Sequence, residues 1–161
     1  MSKQPFISNF FRLSLFFSVF FLFASEGLSE QGSGEIKGPI VITSQMLTAD
    51  NKTNTAIFER SVVAKTTDIT IYADKMIVRN EKDTGNVTRI DAEGNVKFIK
   101  GNRVIISREA TYFADGEKVI FTGEPRATEG ENVVTGRKMT YYMKEDRFLV
   151  EESKVFLTKK K

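Results

Sequence analysis

Four segments of this chain superimpose, and that repeat constrains the fold more than any other feature. They are Ile40 to Asp68, Ile69 to Asn102, Arg103 to Glu131 and Asn132 to Lys160. One column is Ile42, Ile71, Ile105 and Val134, with steps of 29, 34 and 29. Leu47, Met76, Ala110 and Met139 form a second column with the same steps. A later pair of columns is Phe58, Ala92, Phe121, Val150 and Val62, Val96, Pro125, Lys154, stepping by 34, 29 and 29. The five extra residues therefore lie inside the second unit, at the polar stretch Arg79 to Gly85. Every other spacing keeps its phase, as expected of a repeat built on one supersecondary unit.

Each unit reads as two strands. Short runs rich in Val, Ile, Thr, Phe and Tyr alternate with Gly, Asn, Asp and Lys, the pattern of strands and turns. No amphipathic helix is evident after residue 30. Along the strands one phase is apolar. The other carries Thr43, Thr70, Thr135, Arg89, Asp91, Glu93, Lys97 and Arg108. A period of two means one dry face and one wet face. A column of small residues, Ser44, Ala73, Ser107 and Gly136, marks a crowded position such as a bend where sheet faces approach. The expected fold class is therefore all-β, a repetitive antiparallel open sandwich of many short strands.

The N-terminus stands apart. Lys3 and Arg12 precede an uncharged apolar run, Leu13 to Ala24, followed by Ser25, Gly27 and Ser29. This is the layout of a secretory signal, and the run is shorter than the roughly 20 residues of a spanning helix. Residues 1–29 are assigned as a signal peptide, with an uncleaved anchor as the rival. Residues 30–38 form a flexible leader, 39–158 the β domain, and 159–161 a basic tail. The domain is thus expected outside the cytoplasm.

Composition narrows the function. The chain has no Cys and no His. It therefore has no Cys-His or Ser-His nucleophile pair and no imidazole metal ligand. The 24 basic and 21 acidic residues nearly balance, which does not suit a nucleic-acid binder. Acidic pairs do occur, but Asp91 and Glu93 fall on the wet phase and Glu145-Asp146 in a turn, so both read as solvated surface. Asn51-Lys52-Thr53 and Asn86-Val87-Thr88 match a glycosylation pattern only weakly in a Thr-rich chain. No phosphate-binding loop is evident. The expectation is a binding protein with no catalytic residues, metal or cofactor.

The inward columns collect Ile42, Leu47, Phe58, Val62, Ile71, Met76, Ile90, Val96, Phe98, Ile105, Val119, Phe121, Val134, Met139, Phe148, Val150 and Phe156. They either fill the core of a sandwich or line a slot between two faces held apart. Small residues opposite, such as Ala56, Ala64, Ala92 and Ala110, would leave room for the second. Periodicity alone does not separate the two. The outermost strands carry Ile40 and Ile42 at one end and Val155, Phe156 and Leu157 at the other. Such edges are templates for adding a strand, unless the leader and the terminal lysines block them.

Ile71-Tyr72-Ala73-Asp74-Lys75-Met76, then Asp91-Ala92-Glu93-Gly94-Asn95-Val96, then Gly101 and Ile105 resemble the repeat of the OstA-like domain family of lipopolysaccharide transport proteins. The resemblance covers Pro39 to Leu157. The small-then-acidic pair is intact at Ala73-Asp74 and becomes Ser44-Gln45, Ser107-Arg108 and Gly136-Arg137 elsewhere. The Gly-Asn-Val turn is intact at Gly94 to Val96 and becomes Arg60-Ser61-Val62, Gly123-Glu124-Pro125 and Glu152-Ser153-Lys154. Lys154 stands on an inward column, which questions the register of the last unit.

The resemblance implies a V-shaped β-jellyroll in the periplasm, with a hydrophobic groove for the acyl chains of lipid A. The groove candidates are Phe58, Ile71, Met76, Ile90, Phe98, Ile105, Phe121, Val134, Met139, Phe148 and Val150. It also implies head-to-tail self-association through the terminal strands, and LptC-like and LptD-like β-jellyroll partners, in a bridge between the membranes. Two alternatives remain: an LptC-like subunit that keeps its anchor, and a structural β-repeat protein with a filled core.

Overall fold

A computed structural model describes residues 39–158. The expected signal, leader and basic tail, 1–38 and 159–161, lie outside the described residues. Twelve strands follow one another: β1 Val41–Thr43, β2 Met46–Asp50, β3 Thr55–Lys65, β4 Ile69–Asn80, β5 Val87–Lys100 and β6 Arg103–Phe113. Then come β7 Lys118–Thr122, β8 Arg126–Glu129, β9 Asn132–Thr135, β10 Lys138–Tyr142, β11 Arg147–Glu151 and β12 Lys154–Phe156. All pairings are antiparallel. The sequence repeat is the structural repeat: each unit is one long hairpin. In the first, third and fourth units the arms split into pairs such as β1/β2 and β7/β8. The one long turn, 81–86 between β4 and β5, falls where the extra residues were expected.

The pairings define two half-sheets. In the first, β2, β3, β4, β5, β6, β7, β10 and β11 are neighbours in that order. In the second, the order is β1, β3, β4, β5, β6, β8, β9 and β12. The long strands β3 to β6 run through both. The register shifts between Glu59 and Val62, between Tyr72 and Lys75, and between Glu93 and Val96. These bulges bend the hairpins and fold one half-sheet over the other.

The bend has a repeating chemistry. Arg60-Ser61, Gly94-Asn95 and Gly123-Glu124 all have positive φ, as does Glu152 in the last unit. The Gly-Asn-Val segment expected to be a turn is thus a bulge inside the continuous strand β5. The small-residue column faces it. Ala73 pairs with Val62 and Ser107 with Val96. At Gly136 a Cβ would lie 2.5 Å from Val150 Cγ1 and 2.7 Å from the Glu151 carbonyl oxygen, so the crowding is steric.

The next residue along contacts the bulge directly. Asn95 donates to Asp74 at 2.8 Å, Arg108 to Glu124 at 2.7 Å, and Arg137 to Glu152 at 2.6 Å. Gln45 makes the corresponding contact through its backbone N–H to the Arg60 carbonyl, 3.1 Å. The motif that looks eroded in sequence is retained as a contact with its partners exchanged.

The inner faces hold the core: Val62, Met76, Val96, Phe98, Ile105, Val119, Phe121 and Met139 are all at most 3 % exposed. Three sequence expectations are corrected. Leu47 has the inward phase but is exposed, because β2 ends its half-sheet and all five of its residues are exposed.

Lys154 and Phe156 do not point inward. Val155 pairs with Val134, the position Phe156 would take if the register continued. The last bulge has one positive-φ residue where the others have two. One residue fewer turns every following side chain to the other face.

Asp91 lies on the outer face as expected, but it is buried. Arg79, Arg89 and Thr111 all donate to its carboxylate. Burial pushes this carboxyl up, yet those hydrogen bonds and the Arg89 charge outweigh it and hold the pKa below the ordinary carboxylate value.

Candidate functional site

Among the described residues, two largely apolar clefts lie between the half-sheets. The first is lined by Ile40, Ile71, Met76, Ile90, Phe98, Phe121 and Met143, among other apolar residues and Thr66, and has a volume of about 40 Å³. The second is lined by Ala127, Val134, Met139, Phe148 and Val150 together with Arg103, Thr128, Glu129 and Asn132, and has a volume of about 430 Å³. Small-molecule sites usually offer about 300–1,000 Å³. The second cleft reaches that range and the first falls far below it.

An aromatic partition separates the clefts. Phe98 comes from the second half-sheet, and Phe121 and Tyr141 from the first. The Phe98 ring meets Phe121 edge-on at 5.5 Å and Tyr141 at 6.0 Å, while Tyr141 stacks on Phe148 at 4.3 Å. Edge-to-face and offset stacking are the favourable geometries for such rings. The inward columns therefore both fill a core and line a slot: they touch in the middle and stand apart at each end.

The expected groove residues divide accordingly. Ile71, Met76, Ile90, Phe98 and Phe121 line the first cleft, and Val134, Met139, Phe148 and Val150 the second. Ile105 is fully buried between them, and Phe58 packs against the core beside them. Neither lines a cleft. Of the expected edge residues, Ile40 lines the first cleft and Ile42 packs on the core. Val155, Phe156 and Leu157 are all at least half exposed.

Column matching missed Tyr141, which is fully buried. A step of two along the strand from Met139 and Met143 points to it, but the residue varies too much between units to form a column. Lys100 and Arg103 were missed for another reason. Charged residues beside a turn read as solvated, yet here both face the slot. Lys100 donates to the Tyr141 hydroxyl at 2.5 Å, and Tyr141 donates to Asp146 at 2.7 Å. The hydrogen bond from Tyr141 holds the Asp146 carboxyl below its ordinary pKa, with help from the Lys100 and Arg103 charges. Burial, with the Asp146 carboxylate beside it, pushes the Tyr141 phenol up. Asp146 is in a turn, as expected, but it is engaged rather than freely solvated. Among the described residues no cluster of Asp or Glu could hold a metal ion.

An antiparallel hairpin repeat, bent along a line of bulges around a dry interior with a slot at each end, defines a β-jellyroll built around an apolar cavity. The chain belongs to the family of the LptA/(LptD N-terminal domain) LPS transport proteins, whose family model matches residues 41–147. This is a family of transport proteins rather than of enzymes. No curated protein sequence matches significantly. Among solved structures the fold is similar to LptH, the LptA-homologous periplasmic component of the lipopolysaccharide transport device of Pseudomonas aeruginosa. The TM-score is 0.69 at 12% identity, covering 79% of this chain and 99% of that one.

Proposed function

We propose that this chain carries lipopolysaccharide through the periplasm, from the inner to the outer membrane, holding the acyl chains of lipid A between its half-sheets. One observation carries the reading: a dry interior shared by two facing half-sheets, with an apolar cleft at each end. Burying an acyl chain contributes about 0.8 kcal/mol per CH₂ and calls for extended apolar surface rather than polar chemistry. The family is a lipopolysaccharide transport family, and the similar LptH is a periplasmic component of such a device. The exposed strands at each end, with Val41 and Leu47 on one side and Val155 and Leu157 on the other, suit head-to-tail stacking and docking to LptC-like and LptD-like jellyrolls.

The test is in-cell photo-crosslinking. A photoreactive residue at Ile71, Phe148 or Val150 should capture lipopolysaccharide, and one at Lys97 or Ile106 on the outer face should not. Adducts confined to the outer face would remove the slot from the proposal.

A structural repeat protein with a filled core is the second reading. The contact of Phe98 with Phe121 and Tyr141 favours it, since there the two faces already meet. Under that reading none of the five positions captures lipid.

A further inference from the structure

Apolar contact is not all that closes the slot. The bulges form the bend, so the opposite ends of the hairpins form the mouth. Lys100 and Arg103 flank the β5–β6 turn at the tip of the second half-sheet. Asp146 lies in the β10–β11 turn at the tip of the first. Among the described residues, ion pairs from Lys100 at 3.7 Å and from Arg103 at 3.5 Å cross the mouth and end on this carboxylate. The cations are also held on their own side, Lys100 by Asp68 at 3.9 Å and Arg103 by Glu129 at 2.9 Å. Asp146 in turn accepts from Tyr141, the partition residue whose hydroxyl Lys100 also reaches.

We propose that Asp146 is a clasp that holds the mouth shut over the aromatic partition, and that its release lets an acyl chain enter sideways and run between the clefts. The inference rests on the lipid-carrier reading and adds its gate. The two clefts share no lining residue, and the first is too small as it stands for an acyl chain. A chain long enough to occupy both must therefore part Phe98 from Tyr141. Tyr141 cannot swing away without giving up its bonds to Asp146 and Lys100. Partly exposed ion pairs are individually weak, which suits a contact that must open repeatedly. Asp146 also concentrates the clasp in one group: neutralising it weakens both cross-mouth pairs.

Two readouts on the full domain separate the clasp from the carrier reading. The chain has no cysteine, so Asn102→Cys with Asp115→Cys places two nitroxide labels on opposite tips. In the Asp146→Asn background the distance between them, measured by electron–electron double resonance, should lengthen and broaden. Uptake of a stearate carrying an anthroyloxy fluorophore should become several-fold faster. Asp83→Asn, a charge change in the β4–β5 turn, should alter neither. Unchanged distances in Asp146→Asn would overturn the clasp. So would an unchanged uptake rate in a protein whose wild type takes up the probe. A wild type that takes up no probe would count against the carrier reading, while the distances still decide whether Asp146 holds the mouth. Lys100→Met, which keeps the apolar stem but leaves the Arg103–Asp146 pair in place, should shift both readouts in the same direction and by less, and it replaces Asp146→Asn should that variant not fold.

Discussion

The Asp74 carboxylate lies over the backbone of Gly94, so close that a Cβ on Gly94 would collide with Asp74 Oδ2. Twenty residues apart in sequence, these two belong to the motifs that carry the family resemblance. In the fold they are one contact, completed by Asn95. The same site recurs at Arg108 over Gly123, where a Cβ would meet Arg108 Cβ at 2.5 Å. The contact across the bulge is kept while its residues change, from Asp74 with Asn95 to Arg108 with Glu124 and Arg137 with Glu152.

That contact ranks the glycines. Gly94→Ala meets both a positive φ of 76° and Asp74, whereas Gly116→Ala has the same φ and open space around it. A left-handed residue with a Cβ costs roughly 1–2 kcal/mol. Urea denaturation should show Gly116→Ala losing about that much and Gly94→Ala clearly more. Equal losses would mean that Asp74 moves aside freely.

The reverse substitution should stabilise. Arg60 has φ 66° at the bulge position that Gly94 and Gly123 occupy in the next two units. Arg60→Gly relieves backbone strain, offset in part by the greater freedom of glycine in the unfolded chain. A gain of about 1 kcal/mol is expected by the same measurement. A loss would show that the Arg60 side chain contributes more than its backbone costs.

Phe98→Ala removes the centre of the partition. Truncating a buried Phe costs about 3–5 kcal/mol. It should also join the two clefts, so the surviving folded fraction should bind an apolar fluorophore more than wild type does. Destabilisation without added binding would indicate that the half-sheets collapse into the gap.

Acid should act through Asp91. Its folded pKa is depressed, so the stability it contributes is complete above the unfolded carboxylate value of 3.8 and is lost as pH falls through the lower folded value. Asp91→Asn should lower the melting temperature at neutral pH, and the gap from wild type should narrow as the pH drops below about 4. A gap that stays constant with pH would assign the loss to shape rather than charge.

The C-terminal edge tests assembly. Val155, Phe156 and Leu157 pack little, so deleting Val155 to Lys161 should leave a folded domain. If the chain stacks through this edge as proposed, sedimentation should show concentration-dependent self-association for the full domain and none for the truncated one. Oligomers identical to wild type would place the contact elsewhere.

Much of this molecule is legible in the sequence because β structure is written locally. Alternation of two marks which face of each strand is dry. The four registers locate the hairpins, and the steps of 29 and 34 place the one long turn. The lack of His and Cys excludes whole classes of chemistry without any coordinates. What alternation does not carry is the distance between two dry faces. That depends on how far each bulge bends its hairpin and on rings that meet across long stretches of chain, as Phe98 meets Tyr141. A bulge one residue shorter at Glu152 reverses Val155 and Phe156, which only the pairing with β9 reveals. The burial of Asp91 and the reach of Lys100 across the mouth depend on neighbours that the folded chain brings together. The alternation of dry and wet faces is therefore written strand by strand, whereas how far the two dry faces stand apart, and which residues meet across the gap, depends on tertiary contact.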